Sequence, residues 1–203
     1  MIISPKYKFI FIKTQKTAGS SIEKILLDKI SDDDNLVFGG MGTENMPPVN
    51  THKNIEHHSI LFVKQHFPIE YNNFFKFTVE RNPWDKVVSQ YYWAMSRDPK
   101  RTEKGFENFV LNDKKISHMG GWRLYTENNV PLVNYVMQYN QLETDFEFVL
   151  SRIGLSYNNE LKTTKLKTGF RTEKDYRNLY SNSTKEKVEK VYKNTINYFN
   201  YSF

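Results

Sequence analysis

The chain has 203 residues, a formal net charge of +6 and no cysteine. This length suits a single domain, which we predict to span residues 1–203. The lack of cysteine excludes disulfides, thiolate metal sites and a cysteine nucleophile. The positive charge favours an anionic partner, such as a nucleotide, an acidic glycan or nucleic acid.

The sequence argues against a membrane or nucleic-acid role. It holds no stretch near the roughly 18 apolar residues of a membrane span, and its start lacks the apolar core of a signal peptide. We therefore predict a cytoplasmic protein. Zinc-finger spacing, a Lys/Arg-rich block and the aromatic pattern of RNA-recognition modules are also missing, so no specific nucleic-acid partner is expected.

Residues 8–30 predict a strand, a loop of small residues and a helix. Phe9 to Ile12 is an apolar run, typical of a strand that is buried on both faces. The helix takes one apolar face from Ile22, Ile25, Leu26 and Ile30. Such a loop directs backbone N–H groups and the positive end of the helix dipole at one spot, which suits a phosphate or sulfate.

The loop itself carries a lysine and a glycine. Gly19 allows a tight turn or a close approach of a ligand to the backbone, and Lys16 adds a full positive charge. The pattern differs from G-x-x-x-x-G-K-[ST], because Lys16 precedes the glycine. The alternative interpretation is an ordinary strand–loop–helix unit with a solvated lysine.

A second strand–helix junction carries an arginine. Residues 72–79 predict a buried strand, and Asn82 followed by Pro83 is a typical helix start. Arg81 then lies at the carboxyl end of a strand, where open α/β sheets bind their ligands. Ser89 lies about two turns into the helix, so the two side chains could hold one phosphate from two sides.

The rest of the chain predicts further helices and a third strand. A helix starting near Glu56 and ending at Pro68 would place His58, Leu61, Phe62 and Gln65 on one face. The other predicted elements are a helix over 102–112, a loop over 117–129, a strand over 131–139, a helix over 145–153 that ends at Gly154, and a last helix from about Ser183, with Ser183 and Glu186 as a capping box. The long polar segment 31–54 is a candidate flap on the substrate side.

With both junctions in view, the chain resembles the PAPS-dependent sulfotransferases, in their carbohydrate branch. Lys16 to Ser21, KTAGSS, is similar to the 5′-phosphosulfate loop of that family, and Arg81 to Tyr91 is similar to its 3′-phosphate signature, R-[ND]-P-x-x-R-x-x-S-x-Y. Weaker similarity covers residues 133–155 and 192–203. The chain departs from the family pattern at Gln15, Lys86, Gln138, Asn140 and Thr195.

The resemblance implies a three-layer α/β sandwich with a central parallel sheet, related to the P-loop NTPases. It implies PAPS as sulfuryl donor, PAP as product, and a hydroxyl of a glycan or glycoside as acceptor. The residues that it implies for the 5′-phosphosulfate are Lys16, Thr17, Ala18, Gly19, Ser20 and Ser21. Those for the 3′-phosphate are Arg81 and Ser89, and those of a late loop near the adenine are Lys167, Gly169 and Arg171.

The resemblance also implies an in-line displacement without a metal. Lys16 would stabilise charge on the leaving oxygen, and a side chain would take the proton of the acceptor hydroxyl. In this branch the base is a histidine or a glutamate, which makes His58 the first candidate. His57, Glu80 and His118 are the alternatives.

Two other functions compete with this one. A nucleotide kinase or other phosphotransferase could share the fold, although the Walker pattern is missing. A non-enzymatic module could bind polyanions by charge alone, and its affinity should then fall steeply with salt without depending on Arg81 or Ser89.

Overall fold

The structure is a computed structural model that describes residues 1–30, 36–37, 57–114, 116, 120–166 and 169–203. The chain divides into two compact units, the first made of residues 1–80 and 123–166 and the second of residues 81–122 and 167–203. Each unit is described by itself below, and the extent of one domain over 1–203 stays a prediction.

The first unit contains a mixed, mostly parallel sheet. Its strands are β1 (Ile2–Ser4), β2 (Phe9–Ile12), β3 (Leu36–Val37), β4 (Phe75–Glu80) and β7 (Tyr135–Gln138), in the order β3-β1-β2-β4-β7. Strands β2, β4 and β7 are parallel, with Phe11 opposite Phe77 and Phe77 opposite Tyr135. A separate hairpin pairs β5 (Thr126–Glu127) with β6 (Val130–Pro131). The predicted α/β class with a central parallel sheet is thus confirmed in this coarser form.

The antiparallel strands β1 and β3 correct the prediction of a parallel sheet. Both pair antiparallel, β1 with β2 and β3 with β1. Only four residues separate β1 from β2. A link this short permits a hairpin but not the crossover that a parallel pair requires.

Helices flank the sheet of the first unit. They are α1 (Gly19–Lys29), α2 (Ile60–His66), α3 (Pro68–Asn73), α7 (Leu142–Arg152) and α8 (Glu160–Thr163), with a 3-10 turn at Tyr139–Gln141. The main apolar core lies between one face of the sheet and helices α1 and α7. It includes Phe9, Phe11, Phe77, Val79, Ile22, Leu26, Phe146 and Val149. The inward face predicted for the first helix is therefore confirmed.

The second predicted helix begins later than expected. The hydroxyl of Ser59 accepts a hydrogen bond from the Phe62 amide and starts α2 at Ile60, so His58 precedes the helix. The side chains that α2 buries are Ile60 and Val63, whereas Leu61 and Gln65 are exposed. The prediction that His58 lies on this helix is therefore wrong, whereas Leu61, Phe62 and Gln65 do belong to it. Pro68 opens α3 directly after α2.

The segment before β7 also differs from the prediction. Residues 122–125 form a short helix, α6 (Trp122–Tyr125), where a loop was expected. Asn128 and Asn129 both have positive φ, which permits the tight turn between β5 and β6. The strand predicted over 131–139 is shorter in the structure, where β7 spans Tyr135–Gln138. Gly154 ends α7 with a φ of 77°, as predicted.

The second unit is helical in its described residues. It contains α4 (Pro83–Arg97), α5 (Gly105–Asn112), α9 (Asn182–Val191) and α10 (Lys193–Phe199), with 3-10 turns at Pro99–Arg101 and Tyr176–Leu179. Its core is rich in aromatic side chains and includes Trp84, Val88, Tyr92, Phe106, Phe109, Val188 and Tyr192. The helix predicted over 102–112 corresponds to α5, in which Phe106, Phe109 and Val110 are buried.

The cap predicted for the last helix is wrong by two residues. Ser181 forms the capping box with Thr184, and the hydroxyls of Ser181 and Ser183 both donate to Glu107 of α5. Within the described parts of both units, no helix combines the length and the apolar character that crossing a membrane would need.

Candidate functional site

The loop between β2 and α1 has an unusual backbone. Lys16 and Ala18 both have positive φ, 57° and 62°, with Thr17 between them. Ala18 is the N-cap of α1 and makes no side-chain capping hydrogen bond, although its carbonyl accepts from the amides of Ser21 and Ile22. Alternating left-handed residues turn successive N–H groups to one side, and such a nest at a helix N-terminus binds anions.

Gly19 is held tightly against the residue that follows β2. A Cβ atom at Gly19 would lie 2.9 Å from Lys13 Cγ and 3.3 Å from the carbonyl oxygen of Thr14. The Lys13 side chain passes below the glycine and its Nζ donates to Glu23 Oε2 of α1 at 2.6 Å, with both residues buried. The φ of Gly19 is not positive, so its backbone conformation does not require a glycine. The close packing against Lys13 and Thr14 is what requires one.

Two threonine hydroxyls hold the loop on the sheet. The hydroxyl of Thr14 donates to the carbonyl oxygen of Val79 in β4, and the Thr17 hydroxyl lies 2.9 Å from that of Thr14 and 3.1 Å from its carbonyl oxygen. Thr17 is fully buried. The Thr17 hydroxyl is therefore engaged by Thr14. The predicted contact of Thr17 with a phosphosulfate group is better supplied by its backbone N–H.

The serines of the loop differ from each other. Ser21 is buried and its hydroxyl accepts from the amide of Leu166 at 3.0 Å, so it fixes the segment after α8 against α1. Ser20 is partly exposed, as are Lys16 and Ala18. These three residues are the part of the predicted phosphosulfate loop that a ligand can reach most directly.

Lys13, Thr14 and Glu23 contribute to the loop but were missed by the sequence analysis. Nothing in the motif marks them, because two lie before it and one lies within the helix. A charged residue in the buried run just after β2 and a glutamate on the face of α1 that carries Ile22 and Leu26 were the available signals.

Of the two adjacent histidines, His57 contacts the residue with which the same loop begins. Nδ1 of His57 is 2.9 Å from the carbonyl oxygen of Lys13. A carbonyl oxygen only accepts, so Nδ1 carries the proton and Nε2 carries the lone pair of the neutral ring. His58 is buried, and its ring centroid lies 4.3 Å from that of Phe62.

The other two base candidates have different surroundings. Glu80 is buried at the end of β4, where its Oε2 accepts from the hydroxyl of Tyr125 at 3.0 Å. His118 lies outside the described residues. Across the part of the chain that is described, no three side chains of the metal-binding types come together as a cation site.

The second unit brings two arginines onto one carboxylate. Arg81 Nε donates to Asp85 Oδ2 at 2.7 Å, and Arg171 Nη1 donates to Asp85 Oδ1 at 2.5 Å. Arg171 also donates through Nε to the carbonyl of Glu173 and through Nη2 to that of Lys174. Burial alone would raise the pKa of Asp85, but the two guanidinium groups outweigh it and lower that pKa below its ordinary value.

Four more residues singled out in the sequence belong to this unit: Asn82, Ser89, Lys167 and Gly169. Asn82 caps the helix by accepting from the amide of Trp84, and its Nδ2 donates to the carbonyl of Ser202. Ser89 is partly buried on α4. Gly169 has a φ of 86°, and Lys167 lies outside the described residues. The structure thus brings Arg171 to Arg81 through Asp85, a residue that sequence reasoning assigned no role.

Comparison with known proteins gives one family and one relative. The model of the sulfotransferase family matches residues 1–202. An uncharacterised protein of Archaeoglobus fulgidus is 32% identical over 88 residues, which cover 42% of this chain and 72% of the relative. Its name states no activity.

Proposed function

The chain belongs to the sulfotransferase family, and from that premise we propose that it transfers a sulfuryl group from PAPS to a hydroxyl of a glycan, a glycoside or another small acceptor. The observation that carries the proposal is the backbone nest at Lys16 and Ala18, which opens α1 without a side-chain cap. In this proposal the nest and Lys16 hold the 5′-phosphosulfate.

The second unit supplies the chemistry for a 3′-phosphate. A guanidinium group carries five donors, and Arg81 uses Nε for its contact with Asp85. Planar guanidinium groups bind phosphate oxygens in pairs of hydrogen bonds, and a serine hydroxyl such as that of Ser89 can add another. We assign this group to the 3′-phosphate because a terminal phosphate offers several strong acceptors in a small volume.

The reaction exchanges one sulfur–oxygen bond for another. The bond between sulfur and the bridging oxygen of the donor breaks, the acceptor oxygen bonds to sulfur, and the acceptor proton passes to a side chain. Charge grows on the bridging oxygen, where the Lys16 ammonium and the loop N–H groups would stabilise it without reorganisation. The products are PAP and a sulfate ester.

The two adjacent histidines differ as candidates for the base. His58, the first candidate from the sequence, lies against Phe62 in a buried position, which suits a structural role. His57 has its ring oriented by the Lys13 carbonyl, so that its basic Nε2 is defined. We therefore propose His57 as the stronger candidate for the base and keep His58 as the alternative.

A pair of asparagine variants separates the histidines. His57→Asn should reduce turnover by about 10²–10⁴-fold if His57 is the base, while leaving PAP affinity unchanged. His58→Asn should then lower stability more than turnover. The reverse pattern would identify His58.

The proposed donor is tested by calorimetric titration of the wild type and Arg81→Ala with PAP, AMP, ATP–Mg and inorganic sulfate. The proposal predicts that PAP binds more tightly than AMP, and that Arg81→Ala removes this preference. Equal affinity for PAP and AMP would overturn the donor assignment and leave only the family. A preference for ATP–Mg would instead support a phosphotransferase.

A further inference from the structure

Asp85 stands between two cations in the second unit, and neither the family assignment nor the proposed function gives it a role. One oxygen of its carboxylate accepts from Arg81 and the other from Arg171. Arg81 is almost fully buried, and about a fifth of the side-chain surface of Asp85 and of Arg171 is exposed. The three side chains therefore form a compact charged group with a formal net charge of +1.

We propose that Asp85 is a positioning residue that aims the Arg81 guanidinium at the 3′-phosphate of the donor, an inference that rests on the proposed function. Asp85 contacts Arg81 through Nε, at the inner edge of the guanidinium. A hydrogen bond at this edge fixes the plane of the group, so the fork of the two terminal nitrogens has one defined direction. Fixing that direction before binding reduces the entropy lost when the phosphate is bound.

Arg171 has a different role in this arrangement. A single Arg81–Asp85 pair would be neutral and would offer little attraction to a phosphate. The contact of Arg171 with Asp85 restores the net positive charge, and the carbonyls of Glu173 and Lys174 hold Arg171 in place. Arg171 thereby acts through Asp85, in addition to any contact of its own with the donor. The lowered pKa of Asp85 keeps the carboxylate ionised, as this role requires.

Electrostatics and positioning predict opposite results for Asp85→Asn. If Asp85 only added a negative charge near the phosphate, its removal would strengthen PAP binding. If Asp85 aims Arg81, its removal should weaken PAP binding by about 10- to 100-fold, as expected for a hydrogen bond between charged groups. In both cases AMP affinity should stay unchanged, because AMP has no 3′-phosphate.

The experiment compares PAP and AMP affinities of the wild type, Asp85→Asn, Asp85→Glu and Asp113→Asn by calorimetry. Asp113 is the matched control, since it binds Arg101 in the same unit at 2.6 Å and is similarly buried. We expect Asp85→Asn to lose most of the preference for PAP, Asp85→Glu to recover part of it, and Asp113→Asn to retain it.

Other outcomes separate this inference from the proposed function. Unchanged or tighter PAP binding by Asp85→Asn would overturn the inference alone, as would an equal loss of AMP affinity, which indicates a folding role. A wild type that does not distinguish PAP from AMP would overturn the proposed function and the inference with it. If Asp85→Asn does not fold, Arg171→Gln decides, since a retained PAP preference in that variant would contradict the arrangement.

Discussion

The loop of the first unit and the arginine group of the second unit suit anions in different ways. The loop depends on backbone shape, with positive φ at Lys16 and Ala18 and a glycine packed on the Lys13 stem. The arginine group depends on side-chain charge, because Arg81 and Arg171 meet on Asp85. A backbone site is sensitive to added volume, whereas a charge site is sensitive to the loss of one ionic partner.

The two regions also differ in how far apart their parts lie along the chain. Several contacts that shape the loop join residues within ten positions, such as Thr14 with Thr17 and Lys13 with Glu23. Asp85 and Arg171 are separated by 86 positions. Contacts between residues that are close in sequence can be predicted from one short motif. Contacts between residues that are distant in sequence depend on the folding of the whole unit.

Among changes to the loop and to the arginine group, the largest expected effect is on turnover in Lys16→Met. The substitution removes the ammonium charge but keeps a side chain of similar length, so turnover should fall by about 10²–10³-fold, as for the loss of one stabilising group at a developing oxyanion. The measurement is the rate of PAP release from PAPS with a panel of glycoside acceptors.

Lys24→Met is the matched control for Lys16→Met. Lys24 is exposed on α1 and pairs with Asp28 in the same helix. It should keep nearly full turnover. Equal losses of turnover in the two variants would show that turnover depends on the overall positive charge and not on Lys16 in particular.

A smaller effect is expected from Gly19→Ala, which tests backbone shape directly. The new methyl group would meet Lys13 Cγ at 2.9 Å, and the ion pair with Glu23 keeps that side chain from moving away. Overpacking of this kind should lower the free energy of unfolding by about 1–3 kcal/mol and weaken PAP binding. Urea unfolding and calorimetry measure the two effects.

Gly120→Ala provides the comparison for that variant. The nearest atom to its added methyl group would be Tyr192 Cε1 at 3.8 Å, an ordinary contact. Its stability should stay close to that of the wild type. If Gly19→Ala were equally harmless, the loop would be more adaptable than its packing implies.

The smallest expected effect is the loss, at acid pH, of the stability that ionised Asp85 contributes to the arginine group. The pKa of Asp85 in the folded state lies below its ordinary value of 3.8. Ionised Asp85 therefore contributes stability above that value, and the contribution is lost as the pH falls through the folded pKa. The difference in unfolding free energy between the wild type and Asp85→Asn should stay constant above about pH 5 and shrink below about pH 4.

Urea titrations of both proteins over this range measure the difference. A gap that does not change with pH would contradict the ionic role of Asp85. A gap that widens in acid would reverse the sign expected from a lowered pKa.

The sequence alone determined the local features of this protein. It placed β2, the loop and α1 correctly, because an apolar run, small residues and a helical apolar spacing follow one another within residues 8–30. It also placed Arg81 between β4 and α4, since Asn82 and Pro83 are local start signals for a helix. The resemblance to sulfotransferases rested on these two junctions, and the family was confirmed.

Only the tertiary structure decided the features that join distant residues. It placed His57 on the Lys13 carbonyl and joined the Thr14 hydroxyl to the Val79 carbonyl of β4. It also brought Arg171 to Asp85. Each of these contacts depends on which segments pack together, and packing is set by the burial of apolar surface over the whole unit rather than by neighbouring residues.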